Sequence, residues 1–68
     1  MRTYTAYKIN NDGSLSDREN CDTIDHVNTW LIEVAAAKGF TRVQIICDQT
    51  GKMNVMFRVA DDIWIKEQ

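Results

Sequence analysis

Between Thr23 and Lys38 the apolar residues recur at helical spacing. At about 100° per residue, Ile24, Val27, Leu31, Val34 and Ala35 share one face. Trp30 and Ala37 flank that stripe on one side and Ile32 on the other, while Asp25, His26, Thr29 and Glu33 hold the opposite arc. The pattern predicts one amphipathic helix laid on a core. Asp22 is the expected N-cap, with Asp25 three residues on as its capping-box partner. Gly39 closes the helix, since glycine takes the left-handed C′ conformation without a Cβ penalty.

After Phe40 the period changes to two. Val43, Ile45 and Cys47 alternate with Gln44, Ile46 and Asp48; then Met53, Val55, Phe57 and Val59 alternate with Asn54, Met56, Arg58 and Ala60. These are two strands. The connection Gln49-Thr50-Gly51 reads as a three-residue hairpin loop. That loop pairs Asp48 with Lys52, Cys47 with Met53, Ile45 with Val55 and Val43 with Phe57. The strongly apolar positions then share the helix side, and a one-residue slip mixes the faces. Another strand runs from about Arg2 to Asn10. Asn11-Asp12-Gly13-Ser14 is a turn, and Leu15 to Glu19 returns as a brief edge strand. Asp61-Asp62 is a further turn, leading into Ile63-Trp64-Ile65-Lys66 as a short strand or, failing that, a helical turn.

The order is therefore β-(β)-α-β-β-β. The expected fold is α+β: a single amphipathic helix packed on one face of a mainly antiparallel sheet of three or four strands. Residues 1–68 are expected to form one small domain. If the first strand and the Val43 strand are parallel neighbours, the helix crossing between them is right-handed.

Composition narrows the function classes. No apolar run approaches the ~20 residues of a spanning helix, and Arg2 is followed by Thr3, Tyr4 and Thr5 rather than by the apolar stretch of an export signal. A cytoplasmic protein without membrane contact is expected, with Cys21 and Cys47 as free, partly buried thiols rather than a disulfide. A domain near 60 residues buries only about 60% of its unfolded surface, so a second subunit is an attractive source of further burial.

Candidate chemistry is sparse. Asn10, Asp12 and Glu19 fall at calcium-loop spacing around Gly13, but the first ligand position is Lys8. Cys21, Asp22, Asp25 and His26 gather at the helix start, yet a structural zinc site needs four ligands and the chain has neither a Cys-x-x-Cys pair nor a second histidine. A Cys21 nucleophile with His26 as base lacks an orienting group and an oxyanion site. The three glycines are each accounted for by a turn or a cap, so no phosphate loop is implied. No enzyme, metal or cofactor is expected.

Two surfaces stand out. With Val43, Ile45, Val55 and Phe57 toward the helix, the outer sheet face carries Arg42, Gln44, Ile46, Asn54, Met56 and Arg58, and Arg42 sits opposite Arg58. Like charges so placed destabilise a strand pair unless both reach into water or share an anion. On the first strand Thr5, Tyr7 and Ile9 take one face, and Arg2, Tyr4, Ala6 and Lys8 the other. If the second set faces outward, the open face is basic and aromatic. The other surface is acidic: Asp17, Glu19, Asp22, Asp25 and Glu33, in a segment from Asn11 to Ala35 with six acids and one base. Trp30 and Trp64 serve either as core or as interface anchors. These features predict a small non-enzymatic protein-binding module, a regulator or inhibitor of a partner protein and a candidate homodimer. The alternative is a nucleic-acid-binding domain using the basic sheet, a reading weakened by the net charge of −2.

Overall fold

Thr23 opens the helix from an extended conformation, and its hydroxyl accepts from the backbone N–H of His26 at 3.1 Å. The cap is thus one residue later than the expected Asp22. In this computed structural model, which describes residues 3–60 and 62–67, α1 spans Ile24–Thr29 and continues without a break as a π-helical segment, Trp30–Ala35. The i→i+5 bond from Ala36 N–H to the Leu31 carbonyl (3.1 Å) marks the wider turn. Widening changes which residues align. Leu31 and Ala35 stay in line toward the core, whereas Val34 turns outward and is exposed, as are Ile24 and Ile32. Val34 and Ile24, expected on the buried stripe, are therefore off it, and Trp30 moves from the flank into the core at 4% exposure.

The helix ends as the sequence predicts. Gly39 has φ +76°, its N–H donates to the Ala36 carbonyl, and the Phe40 N–H donates to the Ala35 carbonyl. These are the paired bonds of a Schellman motif. Phe40 then folds under the helix, its ring 6.2 Å from that of Trp30.

Five strands form one sheet: β1 (Tyr4–Ile9), β2 (Leu15–Cys21), β3 (Arg42–Cys47), β4 (Met53–Ala60) and β5 (Ile63–Lys66), in the order β2-β1-β3-β4-β5. The fold is α+β, with five strands rather than three or four because both β2 and β5 pair fully as edges. Every pairing is antiparallel, β1 with β3 included. The helix therefore links β2 to β3, which run the same way on either side of β1. The expected Arg2 start of the first strand and Asp61 of the last turn lie outside the described residues.

Edge strand β2 carries a bulge opposite Tyr7, where Asp17 adopts φ +54°. Bulge and charge together blunt this edge against stray pairing. The core gathers Ala6, Cys21, Val27, Trp30, Leu31, Ala35, Phe40, Val43 and Ile45, with Tyr4, Met56 and Trp64 packed against it. Cys21 and Cys47 both sit opposite Tyr4, one on each side of β1. Two strand spacings part them by roughly 10 Å, beyond the ~7 Å limit for a disulfide, and both are thiols.

The β3–β4 register differs from the expected one by one residue. Val43 opposes Met56, Gln44 opposes Val55, Ile45 opposes Asn54 and Arg42 opposes Phe57. The loop holds four residues, Asp48 to Gly51, because Asp48 is engaged elsewhere. Its N–H donates to the Thr3 carbonyl at 3.0 Å, and its carboxylate accepts from the hydroxyls of Thr3 and Thr5, each at 2.8 Å. Lys52 consequently meets Cys47, with the Cys47 N–H donating to the Lys52 carbonyl at 2.9 Å. The side chains of β4 from Met53 to Arg58 are thereby turned to the face opposite the one expected.

Trp64 fastens β5 to the helix. Its indole N–H donates to the Leu31 carbonyl at 3.2 Å, which also serves Ala36. Replacing Trp64 by Phe removes the donor and part of the ring, and is expected to lower unfolding free energy by about 1–2 kcal/mol. Urea titration measures this; an unchanged midpoint would show that this contact does not hold β5 in place.

Candidate functional site

The helix covers one face of the sheet and leaves the other open. Pairing fixes what the open face presents. Thr5, Tyr7 and Ile9 of β1 point away from the helix, as do Arg42, Gln44 and Ile46 of β3 and Met53, Val55 and Phe57 of β4. Leu15 joins through Ile9, and Ile65 through Phe57, with Ile63 two residues along. Thus half of the expected outer set is on this face: Arg42, Gln44 and Ile46. The other half, Asn54, Met56 and Arg58, lies on the helix side, where Met56 packs against the core and Arg58 opposes Trp64. The slipped register is the reason. On the first strand, Tyr4, Ala6 and Lys8 point toward the helix, and Lys8 places its ammonium 5.3 Å from the centre of the Phe40 ring.

The expected conflict of Arg42 with Arg58 does not arise. Arg42 faces Phe57 and binds the Glu67 carboxylate through two bonds of 3.0 and 3.3 Å. Because β4 separates β3 from β5, this ion pair lies across the outward side of β4. Both partners are nearly half-exposed, so the pair adds little stability. It does hold two charges flat over an apolar strand. Near the other end of β3, the hydroxyls of Thr5 and then Thr3 hold the Asp48 carboxyl below its ordinary value of 3.8, and the Arg18 charge adds to the effect.

Arg42, Glu67 and Asp48 are charges that pairing and hydrogen bonds place on this face, while Asp17 and Arg18 share the bulge of β2 opposite Tyr7. The remainder is mostly apolar. Of the eight large hydrophobic residues most exposed to solvent, Leu15, Met53, Ile63 and Ile65 are on it, Val59 lies at its margin, and Ile24, Ile32 and Val34 are on the helix. Three hollows lie among the described residues: about 650 Å³ beside the Asn10–Ser14 turn and reaching Ile9, about 380 Å³ between Ile24 and the β3–β4 hairpin, and about 160 Å³ between Ile32 and Trp64.

Tyr7, Ile9, Leu15, Met53, Val55, Phe57 and Ile65 were not expected together on the open face. The alternation of Met53, Val55 and Phe57 groups three of them, but a four-residue loop had to be chosen to turn them outward.

The acidic residues are dispersed more than the sequence suggests. Glu19 reaches His26 Nε2 at 3.5 Å, and the Asp22 N–H donates to His26 Nδ1 at 3.3 Å. The imidazole thus accepts at Nδ1 and presents Nε2–H to Glu19. Asp25 is exposed in the first helical turn, Glu33 lies in the π-helical segment, and Asp17 occupies the β2 bulge. Buried Cys21 is held protonated: burial first, then the charges of Glu19 and Asp22, push its pKa up to about 11. The would-be calcium loop is a hydrogen-bonded turn in which Asp12 accepts from the Ser14 N–H and hydroxyl. No group of three or more potential metal ligands occurs among the described residues. Nor is any helix among them long and apolar enough to cross a membrane.

The Asp48 contact has a pH signature. A carboxylate whose folded pKa is depressed contributes stability that is present above its unfolded value and lost as pH falls through the folded one. Wild-type protein is expected to lose thermal midpoint between about pH 5 and pH 2 more steeply than Asp48→Asn. Parallel curves in calorimetry across that range would dismiss the contact as a source of stability.

No protein-family model, curated protein or solved structure matches this chain.

Proposed function

We propose that the chain is a small non-enzymatic protein-binding module that regulates or inhibits a partner by occupying it, with the open sheet face as its docking surface. The observation that carries this reading is the apolar, uncovered side of a five-stranded sheet. Soluble monomers rarely leave contiguous apolar patches beyond a few hundred Å² in water. Tyr7, Phe57, Met53 and Arg42 are of the residue types enriched at interface centres.

The chemistry of the other polar groups supports binding rather than catalysis. The Cys21 thiol is protonated and buried, and His26 is engaged with Glu19 and Asp22. The alternative, nucleic-acid binding, has less support. Phosphate neutralisation needs unopposed cations, whereas Arg42 is paired with Glu67, and Lys8 and Arg58 belong to the helix side. Two unbridged cysteines suit a reducing, cytoplasmic setting.

Affinity capture from cell extract tests the docking surface. Ile65→Glu, at an outward position 45% exposed, should abolish capture while leaving the circular dichroism spectrum intact. An Asp25→Lys, Glu33→Lys variant should capture as wild type does. The reverse pattern would transfer the docking site to the acidic helix side, and single-stranded oligonucleotide retained at low salt would favour the nucleic-acid reading.

A further inference from the structure

We infer that the hollow between the start of the helix and the β3–β4 hairpin binds a small organic acid: one carboxylate carried on a single-ring or short branched apolar tail. The hollow lies on the helix side of the sheet, so it stands apart from the docking surface proposed on the other face.

Strand pairing builds the floor. Across β1, β3 and the start of β4, Tyr4 lies beside Cys47 and Cys47 beside Lys52. One row further in, Ile45 opposes Asn54. Ile24 supplies the wall on the helix, and Thr50 the rim on the hairpin. The space enclosed is about 380 Å³, at the lower end of the ~300–1,000 Å³ typical of small-ligand sites. Ile45 and Cys47 are buried and Tyr4 is packed against the core, yet Ile24 is 52% exposed. An apolar tail laid on this floor takes Ile24 out of water.

The polar groups decide the ligand's other end. Around the rest of the sheet the charged side chains are engaged: Asp48 by Thr3 and Thr5, Arg42 by Glu67, and Lys8 over the Phe40 ring. At the hollow they are not. Among the described residues, the Tyr4 hydroxyl, the Lys52 ammonium and the Asn54 carboxamide have no hydrogen-bond or ion-pair partner. Asn54 is half-buried, and a leucine there would put more apolar surface under the helix. The Thr50 hydroxyl accepts from the Lys52 N–H at 3.2 Å, which fixes the backbone of Lys52 at the rim.

Three donors of this kind, one of them charged, match a carboxylate. The ammonium gives it a charge-assisted bond, and the phenol and carboxamide give neutral ones. Among the described residues no carboxylate lines the hollow to compete for Lys52. A phosphate ester carries close to two negative charges and asks for further cations, which the lining does not supply. A cationic ligand would meet Lys52.

Amide NMR titration of the purified protein tests this, with phenylacetate as the probe, phenylacetamide as its uncharged match in shape, and sulfate as an anion without a tail. Phenylacetate should give saturable shifts centred on Ile24, Ile45, Cys47 and Lys52. Phenylacetamide should bind at least ~10-fold more weakly, the loss expected when a charge-assisted bond goes. Lys52→Gln, at an exposed position, should weaken phenylacetate by a similar factor. Asn54→Leu should also weaken it while keeping or raising the urea midpoint, which a merely structural role for Asn54 would not do. Ile65→Glu, on the opposite face, should bind phenylacetate as wild type does, so loss of the docking surface and loss of this site are read separately. The inference is overturned by the absence of saturable shifts up to about 20 mM phenylacetate, by equal affinity for phenylacetamide or sulfate, or by a Lys52→Gln protein that binds as wild type does.

Discussion

The carboxylate of Asp48 accepts hydrogen bonds from two threonines on and beside β1, more than forty residues away in sequence, while its N–H bonds the Thr3 carbonyl. These contacts draw Asp48 out of the β3–β4 ladder and into the loop. Gly51, at φ +72°, completes a four-residue connection. The consequence runs the length of β4. Met56 faces the core, while Met53, Val55 and Phe57 lie on the open side, Met53 exposed and the other two half-buried. The four-residue loop and the outward facing of this set go together.

The helix explains why the exchange is tolerable. Ala6 and Ala35 are small and fully buried, so helix and sheet approach closely over β1. The π-helical turn aligns Leu31 with Ala35 and leaves the Leu31 carbonyl shared between Ala36 and Trp64. Met56 and Trp64 then fill the inner side of β4 and β5. A single short helix has no room to cover a second layer of large side chains there. The outward residues of β4 are therefore left uncovered by the helix.

Much of this was legible from the sequence. The amphipathic stripe located the helix, Gly39 marked its end, and the period of two located β3 and β4. Ile63–Lys66 is the expected short strand. What local pattern could not supply was anything decided at long range. β4 has apolar residues in both phases, so alternation alone left its facing to the choice of loop. That choice depends on Thr3 and Thr5, which no window around Asp48 contains. Likewise Val34 and Ala35 are equivalent to a 100° wheel, and only the wider turn separates them. Of the acidic residues, Asp17, Asp22, Asp25 and Glu33 are exposed and Glu19 is half-buried. Their dispersal follows from the β2 bulge at Asp17 and from the grip of His26 on Glu19 and Asp22, which charge counting does not reveal.

Cross-strand nuclear Overhauser contacts test the central claim, that Asp48 sets a register which turns Phe57 outward, most directly. The account predicts contacts of Val43 with Met56, of Gln44 with Val55 and of Phe57 with Ile65, and a Phe57 ring broadened by a soluble paramagnetic probe while the Met56 methyl is protected. Contacts of Val43 with Phe57 and of Ile45 with Val55, with Phe57 protected by the helix, would contradict it.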